Sequence, residues 1–474
     1  MNVLDFFREI SAVPRGSYHN EKISSYLVSF ARDRKLDYRQ DEYGNVVIYK
    51  QAALGRESSP AVILQSHMDM VCLKDPGFEH DFENSPLELI EDGDNISAFH
   101  TTLGADDGIG MAYALAVLDS EDISHPAIEA LFTVDEEVGM VGAGLIDRSW
   151  LSGRYMINID SESEKVLTVG CAGGRDIIVD FPFGTSEQRG FCYDIKLTGL
   201  AGGHSGEDIN KNRANSVKLI SGLLLPLIED DLIGIIDISA GSKRNAIPSE
   251  AECKILVFGA DEEKAVRFLT DRAGEIEKSL SETDDNVRIS IVKKQTEEAK
   301  YKCISKDSSV SALDFIGKVP DGVQKSDERF VGVPLVSSNI GILSLAGENI
   351  KIEIMARSSV NEEKDVLCGR IISLAESLGG KTIQDGDYPA WEFRESSALL
   401  KLMEGLYVDA FGCEPRIEVI HGGLETSVFS DMYPDMDIVS IGPDIYDIHT
   451  PNELLSKASV ERIRDYLLMV LEKI

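Results

Sequence analysis

The segment LFTVDEEVGM at residues 131–140 places three consecutive acids directly after a run of apolar and β-branched residues. Such a run is typical of a buried strand. The side chains of Asp135, Glu136 and Glu137 would repel one another at the end of this strand unless cations or hydrogen-bond donors held them there. The segment therefore favours a fold in which a buried strand ends at a polar site.

Four other segments share this character, because in each an apolar strand or loop is followed by groups that can bind a metal. They are ILQSHMDMV with His67 and Asp69, TTLGADDGIG with Asp106 and Asp107, MINIDSES with Asp160 and Glu162, and DIYDIHTPNE with His449. Neutral imidazole and anionic carboxylate suit Zn²⁺ or a similar divalent ion. The carboxylates exceed what one ion needs, which favours two ions about 3.5–4 Å apart that share one carboxylate.

Strand-like and helix-like segments alternate in the first part of the chain. Apolar residues recur at helical spacing over residues 2–11 and 20–34, and short strands are predicted at NVVIYK and AVILQSH. This alternation predicts a sheet covered by helices, with ligand groups gathered at the carboxyl ends of its strands. The acids of residues 135–137 stand at one such end.

The alternation is interrupted near residue 185, where FPFGTSEQRG precedes a series of shorter strands, and it returns after DGDYPAWEF. With 474 residues and 43% hydrophobic content, the chain is long enough for two cores. We expect a first domain formed by residues 1–184 and 387–474, with an α+β domain of two tandem halves inserted at residues 185–386.

Charge and cysteine content restrict the partners and the compartment. The chain has 47 Lys and Arg against 82 Asp and Glu, a net charge of −35, which excludes nucleic acid and anionic membranes as expected partners. Seven scattered cysteines without a C-x-x-C pair indicate neither a disulfide framework nor a thiolate zinc site. The chain also shows no signal peptide and no run of about 18 apolar residues, so a cytoplasmic protein is predicted.

The segments HMD, GADDGIG, DEE, IDSE and IHTP resemble, in order and in spacing, the motifs of the M20 metallopeptidases. The likeness continues into CAGG, GGHSG, RNAIP, YPAW and VSIGP and so covers nearly the whole chain. With its long insert, the chain is most similar to the bacterial aminoacyl-histidine dipeptidases, also called cytosolic non-specific or carnosinase-type dipeptidases. The resemblance implies an α/β fold, with a helix-flanked mixed-sheet catalytic domain interrupted by an α+β lid.

The same resemblance implies a role for each metal ligand. Asp106 would bridge two ions, His67 and Asp160 would complete one site, and Glu137 and His449 would complete the other. Zinc is the expected ion, although manganese and cobalt accept the same ligands. Two ions with a bridging hydroxide would attack the peptide bond of a short peptide substrate.

Five further residues have implied roles, and two others have none. Asp69 would orient His67, and Glu136 would be the general base that takes a proton from the attacking water. His204 in GGHSG would donate to the oxyanion, while Asn245 and Arg357 would hold the free carboxylate of the substrate. No role is implied for Asp135, and His421 is interpreted as a loop residue.

The leading hypothesis is a two-metal dipeptidase for substrates with a free C-terminus, including Xaa-His, in a monomer or homodimer. An M20-type aminoacylase or tripeptidase would share the ligands and differ in the lid, and the long two-part insert favours the dipeptidase. A non-catalytic binding protein on the same fold would predict a broken ligand set or a missing base, whereas both are complete here.

Overall fold

The computed structural model of the chain describes residues 2–474. The α-helices in the described part are α1 (Val3–Ser11), α2 (Glu21–Asp33), α3 (Ala105–Asp119), α4 (Val141–Leu145), α5 (Ser216–Glu229), α6 (Glu262–Ser279), α7 (Lys306–Lys318), α8 (Asn361–Ser377), α9 (Ala398–Phe411), α10 (Thr426–Met432) and α11 (Lys457–Lys473). Short 3₁₀ helices cover Arg148–Trp150, Ile209–Lys211 and Gly259–Asp261.

The strands are β1 (Asp37–Gln40), β2 (Val46–Lys50), β3 (Val62–His67), β4 (Leu89–Asp92), β5 (Asn95–Ala98), β6 (Ile128–Thr133), β7 (Tyr155–Asn158), β8 (Val166–Cys171), β9 (Gly173–Pro182), β10 (Thr185–Thr198), β11 (Gly203–His204), β12 (Ile233–Ala240), β13 (Ala246–Ile247), β14 (Ala251–Phe258), β15 (Arg288–Lys293), β16 (Ala299–Ile304), β17 (Gly322–Ser326), β18 (Pro334–Ala346), β19 (Asn349–Ser358), β20 (Lys381–Tyr388), β21 (Arg416–Ile420), β22 (Asp437–Ser440), β23 (Ile445–Tyr446) and β24 (Leu454–Ser456).

These elements form two compact units. The first contains residues 2–171, Trp391–Val419 and Leu424–Ile474, and the second contains Ala172–Ala390 and Ile420–Gly423. The domain boundaries between residues 184 and 185 and between residues 386 and 387 remain predictions.

The first unit is built on an eight-stranded sheet in the order β1-β2-β6-β3-β7-β22-β8-β21. The central strands β6, β3, β7 and β22 run parallel, whereas β1, β2 and β8 pair antiparallel with their neighbours. Parallel strands end at one edge of a sheet, so residues that follow β3, β6 and β7 meet there. The predicted mixed sheet is thereby confirmed.

Helix α3 packs against β3 and α1, and nearly all of its residues are buried. Its sequence, ADDGIGMAYALAVLD, is apolar on every face, as expected for a helix enclosed by a core. A Cβ atom at Gly110 would lie 2.6 Å from the carbonyl oxygen of Ile159, so only glycine permits this close approach. Gly110 therefore allows the first part of α3 to pack closely against the end of β7.

The second unit contains a ten-stranded antiparallel sheet, and both halves predicted for the insert contribute strands to it. Helices α5, α7 and α8 cover the apolar core of this sheet, together with α6. No helix within residues 2–474 is long and apolar enough to cross a membrane.

Candidate active site

Three parallel strands of the first unit end in the predicted ligand segments. His67 is the last residue of β3 and lies opposite Thr133, the last residue of β6, in the strand register. The chain that follows β6 carries Glu136 and Glu137, and the chain that follows β7 carries Asp160. The topology therefore brings together groups that are far apart in sequence.

The carboxylate that is predicted to bridge two ions comes from the start of α3. Gly104 precedes the helix with a φ of 65°, a left-handed conformation that glycine adopts readily. Asp106 has non-helical backbone angles, and its two oxygens face different histidines. Oδ1 lies 2.9 Å from His67 Nε2 and Oδ2 lies 3.1 Å from His449 Nε2. One carboxylate is thus shared by two imidazoles.

Each histidine is accompanied by a second carboxylate. Asp160 Oδ1 lies 3.6 Å from His67 Nε2, and Glu137 Oε1 lies 3.0 Å from His449 Nε2. Ligand atoms of His67, Asp106 and Asp160 fall within 4.8 Å of one another, and so do those of Asp106, Glu137 and His449. The donors form two adjoining triads, each with one nitrogen and two carboxylates, which fits a pair of divalent ions.

The contacts of the His67 ring favour a free lone pair on its Nε2 atom, which a metal ion could accept. Nδ1 lies 3.2 Å from the carbonyl oxygen of Asp69 and 3.4 Å from its Oδ1 atom. An Nδ1–H group that donates to Asp69 leaves a lone pair on Nε2, which faces Asp106 and Asp160. The contacts therefore favour the tautomer that a metal requires.

Glu136 and Glu137 are held in place through their backbone. The N–H group of Glu136 donates to Asp69 Oδ1 at 3.0 Å, and that of Glu137 donates to Asp69 Oδ2 at 3.3 Å. Ser17 Oγ also donates to Asp69 Oδ2, at 2.7 Å. Asp69 therefore fixes the His67 ring and the turn that carries both glutamates.

Burial raises the pKa of Glu136 well above the usual range of a glutamate, and the nearby carboxylates of Asp160 and Glu137 add to the shift, although His67 opposes it. A carboxyl group with a raised pKa can accept a proton and release it again near neutral pH. The environment of Glu136 thus suits proton transfer, whereas Glu137 contacts a histidine of the ligand cluster directly.

Asp135, the first acid of the run, points away from the cluster of ligands. It adopts a φ of 55°, and its Oδ1 atom accepts hydrogen bonds from the backbone of Tyr18 and from Asn20 Nδ2, both at 2.6 Å. Its left-handed backbone turns the chain, so that the next two side chains do not simply alternate across a strand. The three acids are therefore stabilised by donors at Asp135 and by the ligand cluster at Glu136 and Glu137.

The sequence profile of Peptidase family M20/M25/M40 matches residues 63–473 of this chain. The chain belongs to this peptidase family. Cytosol non-specific dipeptidase of Escherichia coli (strain K12) is 36% identical over 473 residues, which cover 99% of this chain and 97% of that protein. The family predicted from the sequence motifs is thereby confirmed.

Two solved structures extend the comparison. Aminoacylhistidine dipeptidase from Vibrio alginolyticus superposes on the M20 peptidase studied here with a TM-score of 0.87 at 33% identity, and covers 100% of this chain and 96% of its own. Aminopeptidase PepT from Bacillus cereus shares the fold, with a TM-score of 0.56 at 16% identity over 99% and 97% of the two chains.

The M20 peptidase also contains a buried arginine that motif analysis missed. Arg15 is 1% exposed, and its Nη1 atom donates to the carbonyl oxygens of Met68 at 3.1 Å and Asp69 at 2.9 Å. Its Nη2 atom donates to the carbonyl oxygen of Gly104. One guanidinium thus joins the loop after β3 to the loop before α3, and no spacing in the sequence predicts this contact.

Glu453 holds the same loop from another side. Its carboxylate accepts hydrogen bonds from the backbone N–H groups of Leu103, Gly104 and Ala105 at 2.8–3.0 Å. It lies four residues after His449, in the segment IHTPNE, and this position was the one sequence signal that could have identified it as a residue near the site.

A third missed acid, Glu425, is fully buried in the first unit. Its Oε2 atom accepts from Gln65 Nε2 at 2.7 Å and from Thr133 Oγ1 at 2.5 Å, while its Oε1 atom has no hydrogen-bond partner within residues 2–474. Burial raises the pKa of Glu425 to about 8. Gln65 also accepts from Asn158 Nδ2 at 2.6 Å, so this network ties together the ends of β3, β6 and β7.

The remaining predicted site residues belong to the second unit. His204 pairs with Ala246 in the short β11–β13 ladder, and the carbonyl oxygen of Asn245 accepts from the backbone of Ser205 at 2.9 Å. Arg357 is 5% exposed, and its Nη1 atom donates to the Tyr388 hydroxyl at 2.7 Å. Its buried Nε atom has no hydrogen-bond partner in the described part of the chain.

His421, predicted as a loop residue, lies in the second unit and not among the ligands. Its Nε2 atom lies 2.7 Å from Ser337 Oγ. Burial, together with the nearby charges of Arg357 and His204, lowers the pKa of His421 to about 3. The imidazole is therefore neutral and buried at neutral pH.

Proposed function

We propose that this M20 peptidase is a two-metal dipeptidase that hydrolyses dipeptides with a free C-terminus, including Xaa-His substrates. The observation that carries the proposal is the position of Asp106 between two histidines, with Glu136 next to them. The 36% identity to the E. coli cytosol non-specific dipeptidase supports dipeptides as the substrates. Its name also supports a cytoplasmic location for this chain.

In this proposal His67, Asp106 and Asp160 bind one divalent ion, and Asp106, Glu137 and His449 bind the other. We take zinc as the ion, because imidazole nitrogen and carboxylate oxygen are among its usual donors. The two ions, when bound, would polarise the scissile carbonyl and lower the pKa of a water molecule.

Glu136 acts as the general base and then as the general acid. Its carboxylate takes the proton of the attacking water and delivers it to the nitrogen of the leaving amine. The burial that raises its pKa well above the usual range of a glutamate supports this role, since a raised pKa strengthens its affinity for the proton of the water. Asp69 keeps its backbone and the imidazole of His67 in position.

The second unit supplies the groups that recognise the substrate. His204 donates to the oxyanion that forms as water attacks, while Asn245 and Arg357 bind the free carboxylate. Arg357 supports this role because a buried guanidinium with an unpartnered Nε atom has a hydrogen-bond donor to offer to a carboxylate.

The alternative functions differ from a dipeptidase in their substrates or in lacking activity. An M20-type aminoacylase or tripeptidase would use the same ligands but would prefer N-acetyl amino acids or tripeptides. A binding protein without activity would not need a buried Glu136 beside an intact ligand set.

The test is turnover of β-Ala-His, Leu-Leu, a tripeptide and an N-acetyl amino acid by chelator-treated protein reloaded with zinc, manganese or cobalt. We expect metal-dependent cleavage confined to the dipeptides. Cleavage of the tripeptide or the acetylated substrate alone would show one of the other M20 activities, and no cleavage with any metal would show a binding protein.

A further inference from the structure

A cavity of about 350 Å³ opens beside Glu137 in the first unit. Glu137 forms part of its wall and also contacts His449 in the ligand cluster. The cavity therefore adjoins the ligand cluster at Glu137. Its volume is at the lower end of the range for small-ligand sites, about 300–1,000 Å³.

Half of the residues that line this cavity are apolar. They are Met70, Val71, Cys72, Phe82 and the more exposed Val138. Burial raises the pKa of the Cys72 thiol to about 11, so this sulfur is uncharged at neutral pH. An apolar wall of this kind stabilises a hydrocarbon side chain by removing it from water.

The charged groups at the rim indicate which half of a dipeptide enters. Within residues 2–474, neither lysine nor arginine is among the lining residues, although Lys22 Nζ donates to the carbonyl oxygen of Glu83, so a free carboxylate has no cationic side chain in the wall itself. Glu83 stands at the rim with His19, whose Nε2 atom lies 3.8 Å from Glu83 Oε1, and both side chains are more than half exposed. An acidic rim attracts the free ammonium group of a peptide and repels its carboxylate.

We propose that this cavity, defined by Gly16, Cys72, Phe82 and Val138 beside Glu137, binds the side chain of the N-terminal residue of the dipeptide and selects for apolar side chains. The inference rests on the proposed dipeptidase function and deepens it. Cys72 and Phe82 act as specificity-determining residues. The enzyme consequently prefers dipeptides that begin with leucine or a residue of similar size.

The test compares Gly-Gly, Leu-Gly and Gly-Leu as substrates of the zinc-loaded full-length chain. In the wild type, kcat/KM for Leu-Gly should exceed that for Gly-Gly about tenfold or more, since even one methylene in an apolar pocket discriminates at least tenfold. Cys72→Phe fills the cavity and should lower the Leu-Gly to Gly-Gly ratio about tenfold. The Gly-Leu to Gly-Gly ratio should stay within about threefold of the wild-type value.

The matched control is Cys413→Phe, which makes the same substitution at an exposed cysteine and should change neither ratio. Phe82→Ala provides a second variant with the opposite effect. By enlarging the cavity, it should raise the Phe-Gly to Leu-Gly ratio about threefold or more, and it decides the question if Cys72→Phe does not fold.

A fall in the Gly-Leu ratio of Cys72→Phe would overturn the inference, because the cavity would then bind the C-terminal side chain. Unchanged ratios in both cavity variants would also overturn it, while leaving the dipeptidase function in place. Absence of turnover of every dipeptide by the metal-loaded wild type would refute the proposed function itself. The two failures are thus distinguishable.

Discussion

The carboxylate of Asp69 accepts a hydrogen bond from the backbone N–H group of Glu136 at 3.0 Å, although 67 positions separate the two residues. The same side chain lies 3.4 Å from Nδ1 of the His67 ring. One buried carboxylate thus sets the position of an expected ligand and of the expected base together.

Asp69→Ala should therefore impair both functions. Loss of its hydrogen bonds frees the His67 ring and the turn at Glu136, and removal of a group that orients a ligand typically costs about 10–100-fold in metal affinity or activity. Chelator competition gives the metal affinity, and dipeptide turnover gives kcat/KM. The control is Ser17→Ala, which removes one donor to Asp69 and should change either quantity less than about threefold.

The adjacent glutamates allow a matched pair of substitutions. Glu136→Ala should lower kcat about 10²–10⁴-fold and retain two metal ions per chain, because general-base catalysis contributes about that much. Glu137→Ala should lose metal, since it removes a carboxylate that contacts His449. Metal content measured by atomic emission separates the two effects. Full activity of Glu136→Ala would rule out its role as the base.

Arg357→Ala should raise the KM for dipeptides, because the proposed contact with the free carboxylate exists in the ground state. Arg357→Lys keeps the charge without the bidentate fork and should recover only part of the loss. Dipeptides with an amidated C-terminus provide the decisive comparison. Wild type and Arg357→Ala should hydrolyse them equally slowly, and an undiminished preference for the free carboxylate in the variant would contradict the assignment.

Gly104→Ala tests the loop that presents Asp106. A Cβ atom there would lie 2.6 Å from Arg15 Nη2 and 2.8 Å from Met70 Sδ, in addition to the strain of a positive φ. We expect a loss of about 1–3 kcal/mol in the free energy of unfolding and weaker metal binding. Gly55→Ala is the matched control, because Gly55 also has a positive φ but open space around it. Equal effects of the two substitutions would show that the contact with Arg15 is unimportant.

His421 predicts a pH dependence of stability. Its folded pKa of about 3 lies below the ordinary value of 6.5, so between these values the unfolded chain binds more protons than the folded chain. Its contribution to stability is complete above about pH 6.5 and is lost as the pH falls toward 3, by at most about 1.4 kcal/mol per pH unit.

Urea unfolding at pH 7.0 and 5.5 measures this contribution. The wild type should lose more free energy of unfolding between the two pH values than His421→Gln, which cannot take up the proton. The same pH dependence in both proteins would mean that His421 binds its proton equally well in the folded and in the unfolded chain.

The cluster of candidate metal ligands was predictable because each of its residues follows an apolar run within a short motif. The structure brings His67, Asp106, Asp160, Glu137 and His449 together as those motifs indicate. Helices α1 and α2 were likewise predicted within one residue of their bounds at Val3–Ser11 and Glu21–Asp33, because their apolar spacing is regular.

The supporting polar network was not predictable. Arg15, Glu425 and Glu453 bond to segments far away along the chain, and such pairings leave no periodic pattern in the sequence. The first turn of α3 at Asp106 is not helical, so helical spacing could not have placed the start of this helix. The hairpin of β4 and β5, in contrast, does have a signal in the sequence, the two-residue turn Gly93-Asp94.

The sharing of Asp106 between two histidines has a consequence for biosynthesis. A ribosome that works from the N-terminus releases His67, Asp106 and Asp160 before any residue of the second unit exists, whereas His449 emerges only after that unit has been made. In the proposed arrangement, the donors of one ion thus leave the ribosome long before the last donor of the other. The position of one histidine in the chain alone separates the synthesis of the two sets of donors.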